Sequence, residues 1–269
     1  MCELLAMSAR APTSLRTSLA ELARHGGGTG PHRDGWGVAY MRDGDAFVVR
    51  EPDAAHGSEL LAFLQQRDSW SDLVIAHIRR ATQGARLLRN TQPFERELGG
   101  RVHLFAHNGM LPGIEHAGLR ARDNRPVGDT DSEYAFCVLL DRLRPLWRRG
   151  TPSLPERLRE VIAFAAELRT LGPANFLYSD GEVIFAHGHR RRGDDGEIRP
   201  PGLHVLCRQC VERSDVAQHV ALVASVPLTA EPWRALVEGE VIVLREGRVL
   251  QSSHAASLEA RSQPVEHAG

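Results

Sequence analysis

Three pairs of an acidic residue followed by glycine, Asp43-Gly44, Asp180-Gly181 and Glu246-Gly247, each sit between runs with the apolar character of strands. The flanks are WGVAYM with AFVVR, ANFLYS with EVIFAH, and VIVLR with RVLQ. Such pairs tolerate the backbone dihedrals that tight hairpins demand, so each marks a reversal between antiparallel neighbours. A chain reversed in this way three times is committed to antiparallel sheet. Further strands are expected at DLVIAHI (72–78) and at VHLFAH (102–107), the second running toward a turn at Asn108-Gly109.

Helices are fewer. SLAELAR (18–24) and SELLAFLQQ (58–66) are short and amphipathic, and DSEYAFCVLLDRLRPLW and LPERLREVIAFAAELRTL are longer, with apolar residues three and four apart. Antiparallel sheet with helices gathered mid-chain implies a layered α+β fold. No repeat or linker divides the 269 residues, so one domain over residues 2–250 is expected, followed by a polar, frayed tail over 251–269.

Hydrophobic residues at 42% and charged residues at 25% suit a globular chain with a substantial core. A formal net charge of −1 gives no overall attraction to nucleic acid or to a membrane surface. The arginine-rich RRRGDDGEIR (190–199) turns acidic within a few residues and reads as a solvated loop. No apolar run reaches membrane-spanning length, and CELLAM is too short, with no basic segment before it, to be a signal core. Four cysteines are too few to staple the chain, which points to a reducing cytoplasm. The pair in CRQC, Cys207 and Cys210, admits a redox or half-zinc reading, but no second Cys-x-x-Cys accompanies it, and incidental thiols are the default.

Several short stretches have the residue types for chemistry. GGGTGPHRDGWG (26–37) lacks the ends of a phosphate-binding loop, so its glycines are expected to allow close backbone approach before a strand at Trp36. In LVIAHIRRATQG an apolar strand ends in Arg79 and Arg80; a guanidinium there is either a solvated cap or a clamp for a carboxylate. In HNG, Asn108 and Gly109 suit a hairpin turn, or an amide and a backbone N–H aimed at a developing oxyanion. In GDTDSE, Thr130 and Glu133 form a capping box that leaves Asp131 ionised in the first helical turn, able to receive an ammonium group.

Cys2 follows the initiator methionine directly. It is either one small apolar residue of a first strand or, once Met1 is removed, a thiol and a free α-amine on one residue. An α-amine with a pKa around ~7.7–8.0 can accept a proton from a thiol near ~8.5 at neutral pH. No separate histidine is then needed.

Cys2 after Met1, AHIRRATQG, HNG and TDSE, together with NTQPF and ASVPLTAEPWRALVEGE, occur in one order along nearly the whole chain. The set resembles the class II glutamine amidotransferase domain of the N-terminal-nucleophile hydrolases, especially its stand-alone bacterial members, which include γ-glutamyl amide hydrolases. The resemblance implies a four-layer α/β/β/α sandwich of two stacked antiparallel sheets. It makes Cys2 the nucleophile with its α-amine as base, and Asn108 and Gly109 the oxyanion hole. Arg79 then holds the substrate α-carboxylate and Asp131 its α-ammonium, with Thr82 a further substrate-binding candidate. No metal or organic cofactor is implied. Two positions depart from the pattern: Gln92 stands where many relatives have histidine, and Arg80 where tryptophan is frequent.

The expected activity is cleavage of the γ-carboxamide of glutamine or of a γ-glutamyl amide through a cysteinyl thioester. The alternatives are a glutaminase subunit that hands ammonia to a separate synthase, and a catalytically silent binding protein of the same fold. No acceptor-using domain or nucleotide motif is expected within the chain.

Overall fold

Two of the three acidic-glycine pairs close two-residue hairpins with both residues at positive φ: Asp43 (55°) with Gly44 (83°), and Glu246 (50°) with Gly247 (75°). At the third, only Gly181 (84°) adopts positive φ. There the Asp180 carboxylate accepts the Glu182 and Val183 amides, making a longer loop, and also meets the Arg157 guanidinium at 2.6 Å. The computed structural model describes residues 2–67, 70–193, 195–211 and 217–254. The tail expected beyond residue 254 lies outside the described residues.

In chain order the strands are β1 (Glu3–Ser14), β2 (Trp36–Arg42), β3 (Asp45–Glu51), β4 (Trp70–Ile78), β5 (Phe94–Leu98), β6 (Arg101–Gly109), β7 (Ala174–Ser179), β8 (Ile184–His187), β9 (Arg191–Arg192), β10 (Ile198–Arg199), β11 (His204–Val211), β12 (Ala217–Ala224), β13 (Arg234–Ala235), β14 (Val241–Arg245) and β15 (Arg248–Ser252). The α-helices are α1 (Arg16–His25), α2 (Glu59–Arg67), α3 (Asp131–Trp147) and α4 (Leu154–Arg169). One antiparallel sheet runs β13-β11-β12-β1-β4-β2-β3 and the other β15-β14-β8-β7-β6-β5, so β1 is the middle strand of seven.

Alternation along the strands builds the layers. Leu4 and Ala6 of β1, Ile75 of β4, and Leu104 and Ala106 of β6 meet in an apolar layer between the two sheets. On the outer face of the seven-stranded sheet, Leu5, Met7, Val74 and Ala76 pack on Leu19 and Leu22 of α1 and Leu61 and Leu64 of α2. On the outer face of the other sheet, Phe105, Phe176 and Phe185 pack on Phe136 and Leu140 of α3 and Phe164 and Leu168 of α4. Each fully buried leucine or phenylalanine contributes about 1.5–3 kcal/mol of transfer free energy. The expected α/β/β/α order is therefore the observed one. Among the described residues no helix is long and apolar enough to cross a membrane.

The expected solvated loop at 190–199 is instead partly ordered. Arg191–Arg192 and Ile198–Arg199 pair as a two-stranded ribbon, closed by Gly193 N–H to Glu197 O at 2.8 Å. The Arg199–Asp195 pair at 2.6 Å satisfies some of the alternating charge internally, which lets so polar a segment hold a hairpin.

Candidate active site

Cys2 immediately precedes β1, and by alternation it shares the side of the strand that carries Leu4 and Ala6 toward the other sheet. Its sulfur accepts the Arg80 backbone N–H at 3.3 Å and donates to the Arg80 carbonyl at 3.4 Å. Burial pushes the Cys2 thiol up. The Arg80 N–H and the charge of Arg79 act against that rise, and the Asp131 carboxylate adds to it. The sulfur is therefore held as a neutral thiol that needs a base to become a nucleophile.

Asn108 has the parity of Leu104 and Ala106 on β6, which places its side chain in the same inter-sheet layer. Its Nδ2 lies 3.2 Å from Ser225 Oγ, and that hydroxyl also accepts the Leu4 backbone N–H at 3.0 Å. One serine thus joins the start of β1 to the end of β6 across the sheets. Asn108 Oδ1 is buried without a partner in this orientation. A half-turn of the amide would let Ser225 donate to the oxygen while still accepting from Leu4, leaving both Nδ2 hydrogens for a reacting oxyanion.

The turn expected at Asn108-Gly109 is absent. β6 runs through both residues, pairing Asn108 with Asn175 and Gly109 with Ala174. The ladder with β7 holds the Asn108 backbone, and Met110 N–H continues to Pro173 O at 3.0 Å, whereas the alternation of an antiparallel ladder turns the Gly109 N–H away from β7. Glycine is required at 109 for closeness. A Cβ would stand 2.7 Å from His107 Nε2 and nearer still to the Pro173 carbonyl oxygen.

Asp131 is the first residue of α3 and is almost fully buried. Its carboxylate accepts Leu111 N–H at 2.7 Å and Ser132 N–H at 2.8 Å. Thr130 caps the helix as expected, accepting Glu133 N–H at 3.2 Å. The capping box is only half made, because Glu133 turns to the Val127 and Gly128 amides and to the Arg96 guanidinium. A charged partner and two amides outcompete the single Thr130 N–H. At the start of α4, by contrast, Ser153 and Glu156 form a capping box.

Arg79 is 3% exposed, and its Nη donors reach the carbonyls of Gln83 (2.9 Å), Gly84 (2.9 Å), Ala85 (3.0 Å) and Asp34 (3.4 Å). The guanidinium thereby shapes the loop after β4. Asn90 ties the same loop to the α3 entry, donating to Ala85 O at 3.0 Å and accepting Asp129 N–H at 2.9 Å. Thr82 lies exposed on that loop and is not drawn in with the buried set.

Three contributors carry no assignment from sequence: Ser225, Asn90 and Gln92. Gln92 Oε1 accepts the His107 backbone N–H at 2.6 Å, so its neutral amide fixes β6 one residue before Asn108. Its carbonyl oxygen also faces Gly37, where a Cβ would collide with it, which is the close approach expected of the glycine-rich segment. Ser225 falls within ASVPLTAEPWRALVEGE, but nothing in that stretch beyond a hydroxyl directly after the apolar run VALVA signals its role. Cys207 and Cys210 both lie on β11, where an offset of three sends their side chains to opposite faces. Cys207 is exposed and Cys210 packs on the outer apolar layer.

The profile of the family described as class-II glutamine amidotransferases matches residues 1–267. YafJ of Escherichia coli (strain K12), provisionally named a glutamine amidotransferase, is 38% identical over 246 residues, covering 89% of this chain and 96% of that protein. The crystal structure of a predicted glutamine amidotransferase from Pseudomonas aeruginosa PA01 superposes with a TM-score of 0.67 at 31% identity, over 93% of this chain and all of that one. The phosphoribosylpyrophosphate amidotransferase of B. subtilis shares the fold, with a TM-score of 0.60 at 14% identity over 93% of this chain and 48% of that one.

Proposed function

This chain belongs to the class II glutamine amidotransferases, and on that premise we propose that it hydrolyses the γ-carboxamide of glutamine or of a γ-glutamyl amide with Cys2 as nucleophile. The observation that carries the reading is the Ser225 bridge, which binds Leu4, two residues after Cys2, to the Asn108 amide across the two sheets.

After Met1 is removed, the Cys2 α-amine takes the thiol proton and the sulfur attacks the carbonyl carbon of the γ-carboxamide. Asn108 Nδ2 and the Gly109 N–H stabilise the tetrahedral oxyanion. The C–N bond then breaks, and the leaving amine departs with the proton carried by the α-ammonium. The resulting γ-glutamyl thioester is cleaved by water, giving glutamate and restoring the thiol. Asp131 attracts the substrate ammonium. Arg79 contributes its charge and its Nε–H to the α-carboxylate, since its Nη hydrogens already hold the loop.

The test is steady-state release of ammonia or amine from glutamine and a panel of γ-glutamyl amides, using protein whose intact mass shows loss of Met1. Turnover is expected without added protein or nucleotide, and Cys2→Ala is expected to have none. The chain contains no lysine. Its terminal α-amine is therefore the sole primary amine, and its titration can be followed by amine-selective labelling. Full activity in protein that retains Met1 would overturn the amine's role. Turnover only with a co-purifying synthase would mark the chain as an ammonia-supplying subunit.

A further inference from the structure

Beside Cys2 opens a cleft of about 580 Å³ whose walls include Glu3, His25, His32, Arg80, Arg191 and Arg192. Cys2 does not itself line it; Arg80 joins the two, holding the Cys2 sulfur through its backbone N–H at 3.3 Å while also lining the cleft. Neither Arg79, Asn108 nor Asp131 lines it, so it is separate from the groups assigned to the glutamyl end. Its size is that of a small-molecule site. Departing ammonia needs almost none of that room.

The charge in the cleft is unbalanced. Among the described residues, Arg80, Arg191 and Arg192 have no carboxylate at ion-pair distance, and Arg191 Nε is buried with no hydrogen-bond partner. Arginines close by in sequence are neutralised, Arg190 by Glu238 and Arg199 by Asp195, each at 2.6 Å. The one buried carboxylate in the wall, Glu3, is engaged by His25 Nδ1 at 2.8 Å. Burial disfavours ionised Glu3, yet the His25 hydrogen bond and the charges of His32, His25 and Arg191 hold its carboxyl below the usual range. Glu3 is therefore in contact with histidine, and it acts on Arg191 through charge alone, without an ion-pair contact. Guanidinium groups in such a setting favour an anion that accepts several N–H donors at once.

We infer that the amine released by Cys2 is itself acidic: the substrate is a γ-glutamyl amide whose amine half carries a carboxylate, received by Arg80, Arg191 and Arg192. The inference rests on Cys2 being the nucleophile and specifies what lies beyond the scissile bond. In the chemical step the γ-C–N bond breaks, the amine leaves as R–NH2 after taking the α-ammonium proton, and its carboxylate stays unchanged on the arginines until release.

The experiment compares kcat/KM for γ-L-glutamylglycine, γ-L-glutamylglycinamide and L-glutamine. The first two differ only in the terminal charge. Wild type is expected to prefer the glycine compound over the glycinamide by at least about tenfold, as charge-assisted hydrogen bonds are lost. Arg191→Gln and Arg192→Gln are each expected to shrink that preference and to leave glutamine turnover unchanged, since ammonia carries no carboxylate for the arginines to hold. Because Arg192 is exposed, its variant keeps the comparison open if Arg191→Gln fails to fold. In wild type alone, ~1 M NaCl should narrow the preference by screening. Equal cleavage of the two compounds, or cleavage of glutamine alone, overturns the inference and leaves the nucleophile reading standing. If all three stay intact in protein with a free Cys2 terminus, the nucleophile reading itself fails.

Discussion

A methyl group at position 109 is the smallest change that tests whether the end of β6 positions the oxyanion. In Gly109→Ala the new Cβ would stand 2.7 Å from both His107 Nε2 and the Pro173 carbonyl carbon, with the Pro173 oxygen closer still. Ordinary contact begins at 3.4 Å, so the shortfall is about 0.7 Å even for the more distant atoms. Neither neighbour can swing aside at little cost. The Pro173 carbonyl accepts Met110 N–H at 3.0 Å, and His107 Nδ1 lies 2.9 Å from Ser132 Oγ. The strand end must therefore move by on the order of 1 Å, a displacement that costs roughly 100-fold in rate when it misplaces a reacting group. The accompanying strain should cost about 1–3 kcal/mol of stability. Glutamate release measured alongside a thermal melt and Cys2 alkylation separates the two effects. The expected variant is folded, slightly less stable, still alkylated, and slow in kcat. A kcat within about threefold of wild type would show that the backbone at 109 does not position the transition state.

Asn108→Ala should lower kcat by about 100-fold or more with a smaller change in KM, as expected when one oxyanion donor is lost; an unchanged kcat removes Asn108 from the mechanism. Arg157→Met should destabilise the fold by about 3–5 kcal/mol in urea titration, because the fully buried Asp180 loses its guanidinium partner; a cost below about 1 kcal/mol would mean the pair is replaceable. Burial lowers His77 to about 3, and both its ring nitrogens lack partners. The unfolded chain protonates this residue below about 6.5 while the folded chain does not, so stability should fall as pH drops from there toward 3. His187, likewise lowered by burial to about 3, acts in the same direction. A urea midpoint no lower at pH 5 than at pH 7.5 would contradict this, and His77→Leu should flatten the dependence.

The hairpins and the two long helices were legible because their signals are local: φ tolerance at the acidic-glycine pairs, and apolar spacing at Asp131–Trp147 and Leu154–Arg169. Cys2, Asn108 and Asp131 were legible as candidates through their order along the chain. The local rule failed at Asn108-Gly109, where a partner strand more than sixty residues away in sequence keeps the backbone extended, Asn108 facing Asn175. It failed by half at Thr130–Glu133, where Arg96 and two loop amides draw the glutamate away. Ser225 was not legible, since its role exists only once β12 lies beside β1 and both face β6. The ribbon at 191–199 was hidden by its polarity, because composition registers charge and not which charges pair.

Chain ends ordinarily fray, and the first residues of a domain are among its most quickly exchanging amides. Here the second residue leads straight into the middle strand of the larger sheet, with β12 on one side and β4 on the other, Leu5 facing Ala224 and Ala76. Amide hydrogens from Leu4 to Ser8 should therefore exchange with solvent only through the rarest, near-global openings, as slowly as any in the molecule. The sulfur sits at the end of a girder rather than on a loose thread. The start of β1 is set against the end of β6 as the sheets form, through Ser225.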